Sequence, residues 1–342
     1  MARPSLSVVM ANYNHGRFLA ESVGAILQQS YRPCQLVIVD DASTDDSVEI
    51  LEARARDDAC IQLLRNESNE GVIASFARGL AQASGDYVYF AAADDRVLPG
   101  LFERSMRLLA QHPSAGVCSS LAVLIDQHGR ECGLAHSPVI SSRECFLSPD
   151  RALRALRSYG PWVKGTTAVC RREALLEVGP SIPELESYSD SFIDLVLAMK
   201  YGACFIPEPL AAWRRLETGY ASRLEGNAAQ SLDIVERGAE LMRNRYRDIF
   251  PPDCVQLWLD YQRYSIALAA YGRYRARRDR SWKELQPLDS WLTRRGFAAG
   301  RQALAKAQDL AVKASLFGRF RRPIGPTVAA ALAHKLRSTR CR

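Results

Sequence analysis

The chain has 342 residues, 47% of them hydrophobic and 24% charged, a balance that excludes disorder, a collagen and a membrane bundle as its main description. The net charge of +7 is unevenly spread: residues 271–342 hold 18 Lys and Arg against 4 Asp and Glu, a net of +14 that leaves −7 for residues 1–270. The length corresponds to two structural units of about 150 residues each, or one larger enzyme domain with an appendage.

Met1 to Ser5 lead straight into Leu6-Ser7-Val8-Val9-Met10, with no basic region followed by a long apolar one. No run approaches the ~20 apolar residues of a bilayer span. A cytoplasmic chain without a secretory signal is therefore expected. Short β-branched runs at Leu6–Met10, Leu36–Val39, Ile61–Leu64 and Tyr87–Phe90 alternate with helical periodicity, as in Leu19, Val23, Ile26 and Leu27, or Phe102, Met106 and Leu109. This predicts a βαβ series over residues 6–125, whose ligands bind outside the carboxyl ends of the strands. Residues 126–165 read as less regular, apart from a helix that Ser148-Pro149-Asp150 would start. A strand near Thr166–Cys170, helices near Arg172–Val178 and Asp190–Tyr201 and a short strand Cys204–Ile206 complete a second half. Beyond Gly226 the pattern is mainly helical. The nine cysteines are odd in number and contain no C-x-x-C pair, which favours reduced, buried thiols over a disulfide framework or a zinc site.

Acidic residues gather at two predicted strand ends. After Val37-Ile38-Val39 come Asp40 and Asp41, then Ala42-Ser43-Thr44-Asp45-Asp46. Ser43 or Thr44 can cap the following helix and Asp45 and Asp46 suit its positive end. Capping does not require Asp40 and Asp41, and a carboxylate there suits a base N–H or ribose hydroxyls. After Tyr87-Val88-Tyr89-Phe90-Ala91-Ala92-Ala93 come Asp94 and Asp95. Adjacent carboxylates repel unless they share a cation, and hard oxygen donors suit Mg²⁺ or Mn²⁺ held partly through substrate phosphates. The first strand is followed by Ala11-Asn12-Tyr13-Asn14-His15-Gly16. It contains neither G-x-G-x-x-G nor a P-loop, which removes the main support for a dehydrogenase, and His15 reads as a solvated loop residue.

Together Ser7 to Asn14, Val39 to Asp45, Asn66 to Gly71 and Phe90 to Asp95 strongly resemble glycosyltransferase family 2, over roughly residues 5–222. Ser189-Asp190-Ser191 and Tyr201 to Leu210 followed by Trp213-Arg214-Arg215 resemble the family's acceptor-side acidic motif and the strand behind it. The resemblance implies an α/β GT-A fold, a Rossmann-like, mostly parallel sheet with flanking helices. That domain would cover residues 1–225, with a nucleotide half to about 125 and an acceptor half from about 126, and a mainly helical, basic extension would cover 226–342. It also implies a nucleotide-sugar donor, with UDP favoured, bound by Ala11, Asn12, Tyr13, Asp40, Asp41 and Asp94. Tyr13 would stack on the base, Asp41 would bind uracil or ribose, and Asp40 would support that contact. Asp94 and Asp95 would hold Mn²⁺ or Mg²⁺, Asp95 the more directly. Asp190 would be the general base, and Gly165 and Thr166 would approach the donor sugar. A single base opposite the leaving group implies inversion at the anomeric carbon, of the hexosyl-transfer type, onto a hydroxyl of a glycan or lipid-linked acceptor, as in polysaccharide biosynthesis.

Three departures stand out. Ala92 occupies the first position of the usual D-x-D, Ser189 replaces the Glu of the usual Glu-Asp pair, and Glu217 precedes Gly219 and Ser222 where many members carry a His. Ala92 and Ser189 raise the alternative of an inactive GT-A-like binding module. The absence of Q-x-x-R-W argues against a processive synthase. In the basic tail, Tyr271, Arg273, Tyr274, Arg275, Arg277 and Arg278 interleave in a way that can stack on bases, but nothing else supports a nucleic-acid partner and none is expected. An anionic membrane surface remains a candidate partner for residues 271–342, each Lys or Arg contributing about 1 kcal/mol, as does the acidic body of the protein itself. The scatter of Leu304, Leu310, Val312 and Leu316 around a helical wheel argues against deep insertion.

Overall fold

β1 (Leu6–Asn12) is apolar on both faces and buried along almost its whole length, the pattern of a central strand covered by helices on either side. In the computed structural model it lies between β2 (Gln35–Asp40) and β4 (Tyr87–Ala92), both parallel to it. Residues 3–277 are described, apart from 136, 217, 218, 220, 221 and 223–226; the side chains of 268–277 are not. β3 (Ile61–Arg65) continues the parallel edge beyond β2. The whole sheet runs β3-β2-β1-β4, then β9 (Val169–Arg171), β6 (Val117–Ile125), β10 (Ala203–Arg214) and β5 (Arg96–Val97), with β7 (Glu131–Leu134) on β6 and β8 (Cys145–Leu147) on β10. Two compact units divide the chain: residues 1–153 with 162–216, and residues 154–161 with 217 onward.

Within the first unit, α1 (Gly16–Leu27) buries Phe18, Leu19, Ser22, Val23 and Ile26, a spacing that keeps one helical face inward. α2 (Ser47–Asp57) and α3 (Val72–Gln82) complete the crossovers. Gly79 of α3 lies against the sheet so closely that a Cβ there would stand 2.4 Å from Val9 Cγ1, so only glycine permits this approach. The register aligns the strand ends, Asn12 with Asp40 and Ala11 with Ala92. The loops that follow therefore open at one edge.

After β5 (Arg96–Val97) and α4 (Leu101–Gln111) the sheet becomes mixed. β6 (Val117–Ile125) is a nine-residue, almost wholly buried strand that the sequence reading did not single out. β7 (Glu131–Leu134) and β8 (Cys145–Leu147) occupy the stretch expected to be irregular, and α5 (Pro149–Tyr159) starts where Ser148-Pro149-Asp150 predicted. The expected strand at Thr166–Cys170 is instead a 3₁₀ turn, Gly165–Thr167, followed by β9 (Val169–Arg171), which runs antiparallel to both β4 and β6. α6 (Arg172–Val178) and α7 (Ser189–Tyr201) follow as expected.

β10 (Ala203–Arg214) corrects the expectation of a short strand ending at Ile206. Pro207 and Pro209 lack the N–H a ladder needs. The strand accommodates them in register shifts between Ile206 and Ala211 and continues alongside β6 to Arg214.

In the second unit, α8 (Ala228–Asn244) is capped by Asn227, whose side chain accepts from Gln230 N at 3.1 Å, and α9 (Pro252–Arg277) follows. Ile234, Val235, Ala239, Met242, Phe250, Val255 and Trp258 are buried here, and Arg263 pairs with Glu236. No helix among the described residues is long and apolar enough to cross a membrane. The side chains of the Arg/Tyr stretch and the whole of residues 278–342 lie outside the described residues.

Candidate active site

The two acidic strand ends, alike in sequence, differ in structure. Asp40 and Asp41 are 1% and 3% exposed. Asp40 accepts Asn12 Nδ2 (2.8 Å) and Ser43 Oγ (2.6 Å) on Oδ1 and Ser43 N (3.0 Å) on Oδ2. Asp41 accepts Asn66 Nδ2 (2.6 Å) and Glu70 N (2.9 Å) on Oδ1 and Gly71 N (2.9 Å) on Oδ2. A carboxylate offers about four lone-pair positions, so each retains about one. Asp40 fixes the Asn12 and Ser43 loops, and Asp41 fixes the 66–71 loop, a role the sequence reading missed. Asn12 is itself buried, so with Ala11 it shapes the strand end.

The loop after β1 is braced by its own polar groups. Asn14, at φ 56°, accepts Thr44 N at 2.7 Å, while its N–H donates to Ser43 Oγ at 3.0 Å. Asp45, rather than Ser43 or Thr44, satisfies the helix starts: its carboxylate takes Gly16 N of α1 (2.9 Å) and Ser47 N of α2 (3.0 Å). Burial opposes its ionisation, but the hydrogen bonds from Ser47 and Gly16 outweigh it and lower its pKa. Tyr13 is left 44% exposed at this edge.

Asp94 and Asp95 follow β4 and are half-buried. Asp95 Oδ1 accepts the main-chain N–H of Arg214 at 2.8 Å. No hydrogen bond among the described residues reaches the Asp94 carboxylate or Asp95 Oδ2. Crowding by protein, and then the charge of Asp94, raise Asp95 well above the ordinary carboxylate pKa, with the Arg214 N–H opposing. Arg214, 4% exposed at the end of β10, was quoted in the sequence only as part of a motif; its buried guanidinium holds this turn. Tyr89 of β4 donates to the Thr166 carbonyl at 2.8 Å, tying the acidic strand to the 164–167 loop.

Asp190 opens α7 on the other side of that loop. Its side chain is exposed at the surface yet crowded, and this partial burial raises its pKa, opposed by the Ser191 N–H and by the charge of Lys164. The loop backbone stands against it: a Cβ at Gly165 would lie 2.3 Å from Asp190 Oδ2. Beneath the loop, Thr167 Oγ1 pairs with Ser119 Oγ at 3.0 Å and accepts Ser120 N at 3.0 Å. Lys164 N donates to Ser119 Oγ at 3.1 Å. Ser189 is buried and accepts Ile182 N at 2.7 Å, so it serves the fold where a second carboxylate was looked for. One turn on, Asp194 is 5% exposed, among the described residues accepts only the Cys170 thiol at 3.3 Å, and is pushed up to about 8 by burial and by the charge of Asp190. The sequence reading passed over Asp194 and Lys164. The i, i+4 spacing of Asp190 and Asp194 was the available signal. Glu217 lies outside the described residues.

Residues 7–179 match the family described as Glycosyl transferase family 2. The Bacillus subtilis protein named "Putative glycosyltransferase EpsE" is 35% identical over 37% of the chain and 46% of its own length. The uncharacterized protein MT1568 of Mycobacterium tuberculosis is 27% identical over 68% of the chain and 74% of its own length. The chain spans about half the length of several of the relatives it matches. Among solved structures, S. aureus TarS 1-349 in complex with UDP-GlcNAc superposes with a TM-score of 0.53 at 17% identity, covering 78% of this chain and 81% of that one. The mannosyltransferase PcManGT of Pyrobaculum calidifontis, in complex with GDP-Man and Mn²⁺, gives 0.55 at 19% identity, covering 96% and 84%. At such identities these two share the fold, a mixed sheet flanked by helices of the GT-A kind.

Proposed function

The chain belongs to glycosyl transferase family 2, and from that premise we propose that it transfers a sugar from a nucleoside-diphosphate sugar to an acceptor hydroxyl, with inversion and with help from a divalent cation. The observation that carries the reading is the 164–167 loop: Tyr89 ties it to the strand of Asp94 and Asp95, and Gly165 seats it against Asp190. A leaving-group side and a base side thus flank one segment.

Tyr13 stacks on the donor base, and Asp41, its carboxylate already ordered, offers its remaining lone pair to base or ribose. Asp94 and Asp95 fit a cation: among the described residues only the Arg214 N–H donates to their hard oxygens, leaving the Asp94 carboxylate and Asp95 Oδ2 open, and no third carboxylate, His or Cys joins them. Such a two-carboxylate site suits Mg²⁺ or Mn²⁺ completed by phosphates and water. When bound, the cation neutralises the charge that develops on the diphosphate. Asp190 takes the proton of the acceptor hydroxyl as its oxygen bonds to the anomeric carbon. The sugar–phosphate bond breaks at the same time, and its electron pair leaves with the diphosphate. The raised pKa of Asp190 brings the base nearer to neutral pH, where proton transfer is most effective, and the charge of Lys164 limits that rise. The acceptor is a hydroxyl of a glycan or a lipid-linked glycan; the +14 of residues 271–342 supports one presented at an anionic surface.

Related folds hold a UDP-sugar in one case and GDP-mannose with Mn²⁺ in another. The test is therefore a calorimetric panel of UDP, GDP, dTDP and CDP, each with and without Mn²⁺. One nucleotide, UDP, should bind at least tenfold more tightly than the rest, and more tightly with Mn²⁺. Failure of all four to bind would overturn the proposal.

A further inference from the structure

Arg214 uses its side chain in three directions at once. Nε donates to the Asp94 carbonyl at 2.7 Å, Nη1 to the Asp126 carbonyl at 3.0 Å, and Nη2 to the Glu21 carboxylate. Phe18 lies beneath the guanidinium, 4.5 Å from the ring centroid. Glu21 also accepts Arg96 Nη1 at 2.6 Å, so two guanidiniums share one carboxylate. The cluster is left with one positive charge beside the Asp94 and Asp95 carboxyl groups.

Burying a guanidinium costs several kcal/mol unless it is paired and hydrogen-bonded. Arg214 meets that need with the Glu21 carboxylate and two main-chain carbonyls, and forms no ion pair with Asp94 or Asp95. Here the fork bonds the Asp94 carbonyl instead, and only the Arg214 main chain touches Asp95, through one oxygen. The turn is gripped and its repulsion offset, while the Asp94 carboxylate and Asp95 Oδ2 stay available. Glu21 and Phe18 lie on α1, directly after the loop that carries Tyr13. One side chain thereby joins the cation side of the site to the helix behind the nucleotide side.

We propose that Arg214 is the positioning residue of the divalent-cation site: it presets the Asp94–Asp95 turn and holds the two carboxylates together before the cation arrives. This rests on the metal-assisted reading above. Outer-shell partners of a metal site typically contribute 10–100-fold in metal affinity, and lysine cannot reproduce a three-way fork.

The test measures free Mn²⁺ by electron paramagnetic resonance in the presence of UDP, alongside metal-free UDP binding and urea unfolding, for the parent, R214M and R214K. R214M should lose about 10–100-fold in Mn²⁺ affinity, keep metal-free UDP binding within about twofold, and still unfold cooperatively. R214K should recover part of the loss. Parent-like Mn²⁺ affinity in R214M would overturn the proposal, as would equal losses of Mn²⁺ and metal-free UDP binding, which mark a purely structural residue. Should R214M not fold, E21Q carries the test: a several-fold loss of Mn²⁺ affinity supports the proposal and an unchanged affinity overturns it. If the parent itself binds UDP but not Mn²⁺, the metal-assisted reading fails, and this proposal fails with it.

Discussion

Gly165→Ala should separate catalysis from folding. The new Cβ would stand 2.3 Å from Asp190 Oδ2 and 3.0 Å from Asp190 Cγ, whereas ordinary contacts begin near 3.4 Å. The carboxylate must move by about 1 Å, and a misplacement of that size can lower a rate by about 10²-fold. The stability cost is small because the obstructed atom ends a rotatable side chain. An off-rotamer χ costs about 0.5–1.5 kcal/mol, the Ser191 N–H contact about 1 kcal/mol, and the lost flexibility of glycine returns about 0.4–1 kcal/mol. Gly165 is not among the residues at positive φ, so alanine meets no backbone obstacle. Release of nucleoside diphosphate at saturating donor, together with urea unfolding, reads both effects. Turnover should fall about 10²-fold with unfolding free energy changed by no more than about 1–2 kcal/mol. In an Asp190→Asn background the same substitution should add little, since both changes act on one group. Turnover within twofold of the parent would refute Asp190 as the base.

Asp190→Asn preserves shape and removes basicity, so turnover should fall by about 10²–10⁴ while calorimetric donor affinity stays within twofold; near-normal turnover would shift attention to Glu184 and Glu186. Ala42 holds φ 57° directly after Asp41, a conformation costing an L-residue roughly 1–2 kcal/mol, so Ala42→Gly should leave stability equal or raise it by up to about 1 kcal/mol after the entropy of glycine is counted. A clear loss in urea unfolding would show that the Ala42 methyl group contributes to packing. Asp194 has its folded-state pKa raised from 3.8 to about 8, so the native state binds the extra proton and stability falls as pH rises between those values. Asp194→Asn should remove that slope, gaining several kcal/mol relative to the parent at pH 8 compared with pH 5; parallel stability profiles would show Asp194 already ionised in the native state.

The parallel strands were legible because they are buried on both faces: Leu6, Val8, Val9 and Met10 read as a continuous apolar run, and so do Leu36 to Val39. Their ends were underestimated by one or two residues, because Asn12 and Asp40 look like loop residues until they bond each other across the ladder. β10 was cut short for a different reason. Pro207 and Pro209 are local signals against a strand, and pairing with β6 on one side overrides them through a bulge. Arg214 was quoted only as part of a motif, because its partners Glu21, Asp94 and Asp126 are remote in sequence. The 3₁₀ turn at Gly165–Thr167 shows the same limit. Its shape depends on Ser119 and Ser120 of β6, which lie more than 40 residues earlier.

The two Asp–Asp pairs show most directly what sequence withholds. Both follow apolar strands and both precede a turn, so period and position cannot tell them apart. The difference lies in how many donors the fold brings to each. Asn12, Ser43, Asn66, Glu70 and Gly71 converge on Asp40 and Asp41, whereas one main-chain N–H reaches Asp95 and none among the described residues reaches the Asp94 carboxylate. A carboxylate already saturated by protein donors has little capacity left for a cation, while an adjacent pair left unsaturated repels until a positive charge arrives. The first pair is therefore suited to shaping loops and the second to holding a positive charge, the division the proposed nucleotide and cation roles require. The contrast arises from side chains remote in sequence, and it makes Arg214, which grips the second pair without consuming its carboxylates, the residue on which that division depends.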